Sequence, residues 1–168
     1  VETAVGVLDI DVVDSGAVWM TQNSPTVQQV DLDYDRASDA LGIDPEAFRD
    51  VGADMPPAYA STGLPFLVLP VNFLEHLSGM DPNMEAVEQL AADHDAEGVY
   101  VFTFDAIGRG TAQDTTLHAR TFVPGLGIDE DPVTGTASGA AGAYLDQFAA
   151  FDGEFPERMT FEQGHFLD

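Results

Sequence analysis

Residues 125–145 read GLGIDEDPVTGTASGAAGAYL, a glycine-rich loop that runs through Asp131 and Pro132 into a segment built almost wholly of small residues. Three features coincide there. Thr134, Gly135 and Thr136 stand where a helix over 134–148 begins, so unpaired backbone amides face outward with the positive end of the helix dipole behind them. Such a terminus receives an anion without any lysine. Gly135, Gly139 and Gly142 fall at spacings of four and three and line one helix face. Each interior glycine costs about 0.8–1 kcal/mol relative to alanine, so the pattern predicts a very close approach to that face. A sheet curled around a central helix would provide it. Asp131 precedes the pocket, where a carboxylate repels an anion but welcomes an ammonium or a hydroxyl proton. Together the three features suit a small zwitterion such as an amino acid. The other reading is that Asp131 and Thr134 only cap a helix and the glycines only serve packing. From the residues alone the two readings stand level.

Outward from this loop, the pattern is that of an α+β domain. Val99–Phe104 and Thr116–Val123 alternate in the strand manner around a polar loop, which predicts a hairpin. Ala58–Ser61 and Phe66–Leu69 flank a Thr62-Gly63 turn and predict another, both strands largely buried. Ala4–Val13 reads as a strand with a bulge where its alternation shifts, paired through the Asp14-Ser15-Gly16 turn with Ala17–Met20. Trp19 there is assigned to core or rim packing. Covering helices are predicted over 31–41, over 45–48 with Asp44 as cap, as a turn at 73–77, and over 83–94. Met159–Glu162 reads as a last strand. Asp31-Leu32-Asp33-Tyr34-Asp35 begins like a calcium loop, but Arg36 replaces the required glycine and Gly42 the bidentate glutamate, leaving a solvated acidic turn.

Composition narrows the chemistry. The chain of 168 residues suffices for one domain with its own core. Thirty Asp and Glu oppose five cations for a formal charge of −25, and the cations are all arginine: Arg36, Arg49, Arg109, Arg120 and Arg158. Without lysine there is no P-loop lysine, Schiff base or lysine general base. The charge argues against nucleic acid and anionic membrane, which are held by clustered cations. Acid-rich, lysine-free composition fits a surface adapted to high salt, where self-repulsion is screened. A halophilic, cytoplasmic protein is expected. Absence of cysteine excludes disulfides, a thiolate nucleophile and a zinc ribbon. The apolar run Leu64–Val71 is interrupted by Pro65 and Pro70 and falls far short of the roughly 20 residues that span a bilayer. A dinucleotide fingerprint starting at Gly125 and Gly127 fails because Glu130 stands where the third glycine belongs. His76, His94 and His165 show no metal-ligand spacing, so no metal is expected.

The stretch His118–Leu145, HARTFVPGLGIDEDPVTGTASGAAGAYL, resembles the signature of the PhzF family, the phenazine-biosynthesis-like isomerases. Thr3–Val13, Ser61-Thr62-Gly63-Leu64-Pro65-Phe66 and Glu162-Gln163-Gly164 agree with it in order, so nearly the whole chain is covered. The resemblance implies the diaminopimelate-epimerase-like fold: two similar lobes, each a barrel-like antiparallel or mixed sheet wrapped around a central helix, with the active site between them. It implies cofactor-independent proton transfer at carbon, with a glutamate of the first lobe as the base. The 168 residues resemble most of the second lobe as a single domain. No stretch resembles the first lobe or its glutamate, and the family's closing strands are not found.

Carried over residue by residue, the resemblance makes Asp131 the active-site carboxylate, holding a hydroxyl or amino group of the substrate. The Gly135 and Thr136 amides would take the substrate carboxylate, with Thr134 at the helix start. Thr136 stands where the family commonly has serine. Gly125 and Gly127 would let the loop approach the ligand, and Ser61, Thr62 and Gly63 would form another wall. His118 and Arg120 share one strand face, and neither is favoured as catalytic over structural. The expected function is the substrate-binding lobe of a PhzF-like isomerase acting on a small carboxylated, amino-acid-like metabolite, without cofactor. The alternative is a non-catalytic binding or interaction module that kept the fold without the base. Either would expose apolar surface, which favours association with a second copy or with a missing first lobe.

Overall fold

The computed structural model describes residues 2–3, 6–7, 9–14, 16–51 and 54–167. At the N-terminus two small antiparallel pairs replace the single bulged strand expected over 4–13. Strand β1 (Glu2–Thr3) pairs with β2 (Gly6–Val7), and β3 (Ile10–Val12) with β4 (Val18–Met20). The break in alternation after Val7 separates two strands instead of marking a bulge; residues 4, 5 and 8 of that reading lie outside the described residues. The β3–β4 pair is exposed on both faces. Trp19 therefore has no place in the core, and the Arg158 guanidinium lies 5.4 Å above its ring.

Seven strands form the main sheet. Its path is β10 (Ile128–Asp131), β9 (Leu117–Val123), β8 (Gly98–Thr103), β7 (Pro65–Pro70), β6 (Ala58–Ser61) and β5 (Thr26–Gln29), with β11 (Phe161–Gln163) also on β9. Two of the three predicted hairpins lie in this sheet, as the antiparallel pairs β6–β7 and β8–β9, and the third is the β3–β4 pair. Strands β7 and β8 run parallel, with Phe66 opposite Gly98 and Pro70 opposite Phe102. A parallel pair needs a crossover. Helices α2 (Leu74–Ser78) and α3 (Met84–Ala92) supply it. Every residue of β8 and β9 is buried, as expected of strands covered on both faces.

One face carries α1 (Tyr34–Leu41), α2 and α3. Leu41, Leu77, Val87 and Leu90 pack there on Leu67, Leu69, Val99, Val101 and Phe122. Local chemistry sets these helices: the Asp33 carboxylate accepts the Arg36 N–H at 3.1 Å, Asn83 caps α3 through the Ala86 N–H at 3.1 Å, and Asp44 caps the 3-10 turn Pro45–Phe48 at 2.9 Å. Asp33, the centre of the calcium-like run, is thereby a helix cap.

The other face carries α4 (Gly135–Gln147). Ala137, Ala140, Ala141, Tyr144 and Leu145 bury against Phe66, Val68, Tyr100, Phe102, Leu117 and Ala119. Helix against sheet is the expected half of the architecture, but the glycines are not its cause. Alanines meet the sheet, whereas a Cβ on Gly139 would run into the Gln22 side-chain amide, one on Gly142 would lie 3.4 Å from Met159, and Gly135 faces open space. The close approach predicted from glycine spacing is made by a glutamine side chain on the far side of the helix.

Candidate active site

Strands β10 and β11 share one edge of β9. β11 runs parallel to it at Leu117–Ala119, and β10 antiparallel at Thr121 and Val123. Their ends meet beside Asp131. Gly164 follows β11 with φ +81°, and a Cβ there would come within 2.7 Å of the Pro132 carbonyl oxygen, so only glycine fits this junction. Across it the Gln163 side-chain amide donates to the Asp131 backbone carbonyl at 2.6 Å and to the Thr134 hydroxyl at 3.1 Å.

Asp131 is half-buried at the end of β10. Its Oδ2 accepts the Thr134 hydroxyl at 2.7 Å, and its Oδ1 accepts the Val133 N–H at 3.3 Å. Thr134 is the N-cap of α4, yet its side chain makes no capping bond to the helix amides, because its hydroxyl is directed back to Asp131. The first-turn amides of Gly135 and Thr136 therefore have no capping oxygen on them.

The turn after β6 closes another side. The Thr62 hydroxyl donates to the Gln22 side-chain oxygen and lies 3.2 Å from the Thr136 carbonyl, while Gln22 Nε2 donates to the Gly135 carbonyl at 3.1 Å. Gly63 N–H bonds the Ser61 hydroxyl at 3.1 Å, which shapes the turn. Asp131, Thr134, Gly135, Thr136 and Thr62 are thus brought together around the start of α4. Buried beneath this region, Tyr100 and Thr121 hold hydroxyls without partners. Burial pushes the Tyr100 hydroxyl far above its ordinary range, against the lowering influence of the neighbouring Ser138 hydroxyl, so it stays protonated.

Residues 1–168 match the model of the PhzC-PhzF, or phenazine biosynthesis-like, protein family over their whole length. The chain belongs to that family. Among its PhzF relatives it is 34% identical over 168 residues to the uncharacterized isomerase YfhB of Bacillus subtilis, covering 98% of this chain and 54% of the relative. It is 32% identical to an uncharacterized isomerase of Deinococcus radiodurans, over 93% of this chain and 49% of that one. The PhzF-family phenazine biosynthesis protein of Bacillus anthracis superposes with a TM-score of 0.77 at 26% identity, over 95% of this chain and 52% of that structure. A predicted epimerase of Pseudomonas aeruginosa superposes with a TM-score of 0.61 at 28% identity, over 88% and 46%. The fold is the family's epimerase-like α+β fold, and the chain spans about half the length of the relatives it matches.

Within this PhzF domain, Gly125 and Gly127 do not join the other candidate residues. They flank the turn at the opposite end of β10, where Gly127 takes φ +79° and Gly125 lies near the Glu88 side chain. At about 3.3 Å per residue, that turn lies roughly 10 Å or more from Asp131. His118 and Arg120 do share a face of β9, and each is occupied. Arg120 grips Glu130 through two bonds, at 2.9 and 2.7 Å, and donates to the Leu77 and Met80 carbonyls at 3.1 and 3.3 Å. Glu130 and Asp131 are neighbours on β10 with opposite duties: one holds the arginine, the other faces α4.

His118 is fully buried, with Nδ1 2.9 Å from Glu162. Burial is the largest influence on His118 and holds its pKa below the ordinary histidine value, against the upward pull of Glu162. The ring is therefore neutral at pH 7 and donates from Nδ1. Burial pushes the Glu162 carboxyl up, but the His118 donor and the amides of Ile107 and Gly108 together outweigh it and hold it low. Gln22 and Gln163 are site residues beyond those expected from the sequence. Gln163 lies in the Glu162-Gln163-Gly164 motif, which was the available signal; Gln22 carries none.

Proposed function

We propose that these residues form the substrate-binding lobe of an isomerase or epimerase that moves a proton at carbon on a small carboxylated, amino-acid-like metabolite. The supporting observation is the convergence at one helix terminus of a carboxylate and uncapped amides. The Gly135 and Thr136 amides receive the substrate carboxylate, aided by the dipole of a 13-residue helix. Asp131 accepts a hydrogen bond from the substrate's ammonium or hydroxyl group. Ser61, Thr62 and Gly63 close one wall.

The two sites divide the ligand by charge, since an anion at Asp131 would meet repulsion and a cation at the helix terminus would too. Fixing both ends holds the carbon between them at one place. A base there removes a proton efficiently only within hydrogen-bond reach. The base is the glutamate that the family resemblance assigns to the other lobe, outside these residues.

The test is incorporation of solvent deuterium at carbon when amino-acid-like carboxylates are incubated in D2O with the protein purified from its native host. Incorporation abolished by Asp131→Asn supports the reading. Binding without incorporation selects a non-catalytic binding module, and neither binding nor incorporation contradicts the site itself.

A further inference from the structure

Thr134 has one hydroxyl proton and two polar neighbours. Gln163 Nε2 lies 3.1 Å from its oxygen and also 2.6 Å from the Asp131 carbonyl. A carbonyl only accepts, so the Gln163 atom between them must be the donating nitrogen. The Thr134 oxygen is then an acceptor toward Gln163, and its own proton has one remaining partner, Asp131 Oδ2 at 2.7 Å. Thr134 is 8% exposed, so water has little access to rearrange this chain of bonds.

We infer that Gln163 is a positioning residue of the site, which fixes the direction of the Thr134 hydroxyl proton and thereby holds Asp131 Oδ2 as its acceptor and the carboxylate aimed at the substrate. The inference deepens the proposed function, on which the substrate contact rests, but the proton arrangement itself needs no substrate. Its mechanical basis is the junction of β10 and β11. Gln163 is the last residue of β11, Asp131 the last of β10, and the glutamine reaches across to both the backbone and the cap of the neighbouring strand end. A hydroxyl that accepts a bond becomes the better donor, so the amide also strengthens the Thr134–Asp131 bond.

One consequence concerns the ligand class. With that proton committed, the substrate group that meets Asp131 must donate: an ammonium, an amide N–H or a hydroxyl, and not an ether, ester or second carboxylate.

The test uses the full chain without ligand, in molar salt, followed by NMR of the Thr134 hydroxyl proton and the Asp131 side-chain carboxyl carbon. Gln163→Met keeps the length of the side chain and removes the amide; Gln163→Leu is the second variant in case the first folds poorly. Both are expected to speed exchange of the Thr134 hydroxyl about three- to tenfold, the factor expected for one lost hydrogen bond, and to shift the Asp131 carboxyl resonance. Backbone amide protection in α4 is expected to stay at the wild-type level. Unchanged hydroxyl exchange and carboxyl resonance in a folded variant would overturn the inference. So would a parallel loss of α4 protection, which would make Gln163 a structural support only. Failure of the D2O experiment with success here would remove the proposed activity and leave the Gln163 assignment standing.

Discussion

Gly164→Ala tests the junction that builds the site. Gly164 takes φ +81°, and an added Cβ would sit 2.7 Å from the Pro132 carbonyl oxygen. Two costs follow. Alanine in the left-handed region costs about 1–2 kcal/mol. The collision is with backbone, so it is relieved only by moving Pro132 and with it Asp131, an overpacking penalty of about 1–3 kcal/mol. The lowered entropy of the unfolded chain returns about 0.4–1 kcal/mol. A net loss of about 2–4 kcal/mol is expected from urea denaturation in molar salt. Gly127→Ala is the internal control: φ is +79° there, but nothing lies within 4 Å of the added carbon. It isolates the conformational part, about 1 kcal/mol net. Gly164→Ala costing no more than Gly127→Ala would refute the claim that the β10–β11 junction is sterically closed at that residue.

Further outcomes follow from the same contacts. Arg120→Met leaves the Glu130 carboxylate, 7% exposed, without its partner and is expected to cost about 3–5 kcal/mol, read by denaturant unfolding. Gly139→Ala displaces the Gln22 amide, so its gain in helix propensity is expected only when Gln22 is removed: in a Gln22→Ala background it stabilises by about 1 kcal/mol, and in the wild type it does not. Stability is also expected to fall with acid in two stages. The folded chain holds His118 below its ordinary pKa, so the unfolded chain binds the proton first and stability declines as pH drops through about 6.5. Glu162 is held below its ordinary value of 4.5, so its contribution is present above that pH and is lost below it. His118→Gln should remove the first stage of the unfolding midpoint against pH and shrink the second, which then rests on the Ile107 and Gly108 amides.

The parts of the fold that local chemistry dictates were legible. Asp44 marked one helix start and helical spacing marked the helices over 31–41 and 83–94, although the caps Asp33 and Asn83 were not read as such; alternating apolar runs marked β8 and β9, and apolar runs flanking a Thr-Gly turn marked β6 and β7. What the sequence hid are the strands without apolar character. Thr26–Gln29 and Ile128–Asp131 look like polar loop, and they are strands only because β6 and β9 offer them backbone partners. Missing β10 hid the opposition of Glu130 and Asp131, and with it the partner of Arg120. The α4 terminus and Asp131 were readable because helix ends and carboxylates announce their chemistry locally. Gln22 and Gln163 act through contacts 113 and 32 residues away, to Gly135 and Asp131, and no periodicity in the chain records such pairings. Glycine spacing in α4 correctly signalled a close neighbour but misidentified it, since alanine is small enough for the sheet and only Gly139 had to admit a side chain from outside.

Recognition of a zwitterion at the start of α4 is tested by an NMR titration of backbone amides in molar salt with small α-amino acids, the matching amines lacking the carboxylate, and the matching acids lacking the amine. Saturable shifts of the Gly135 and Thr136 amides are expected with the amino acids, weaker ones with the acids and none with the amines, with loss of the preference for amino acids in Asp131→Asn. Shifts confined to other regions, or equal for all three ligand sets, would contradict it.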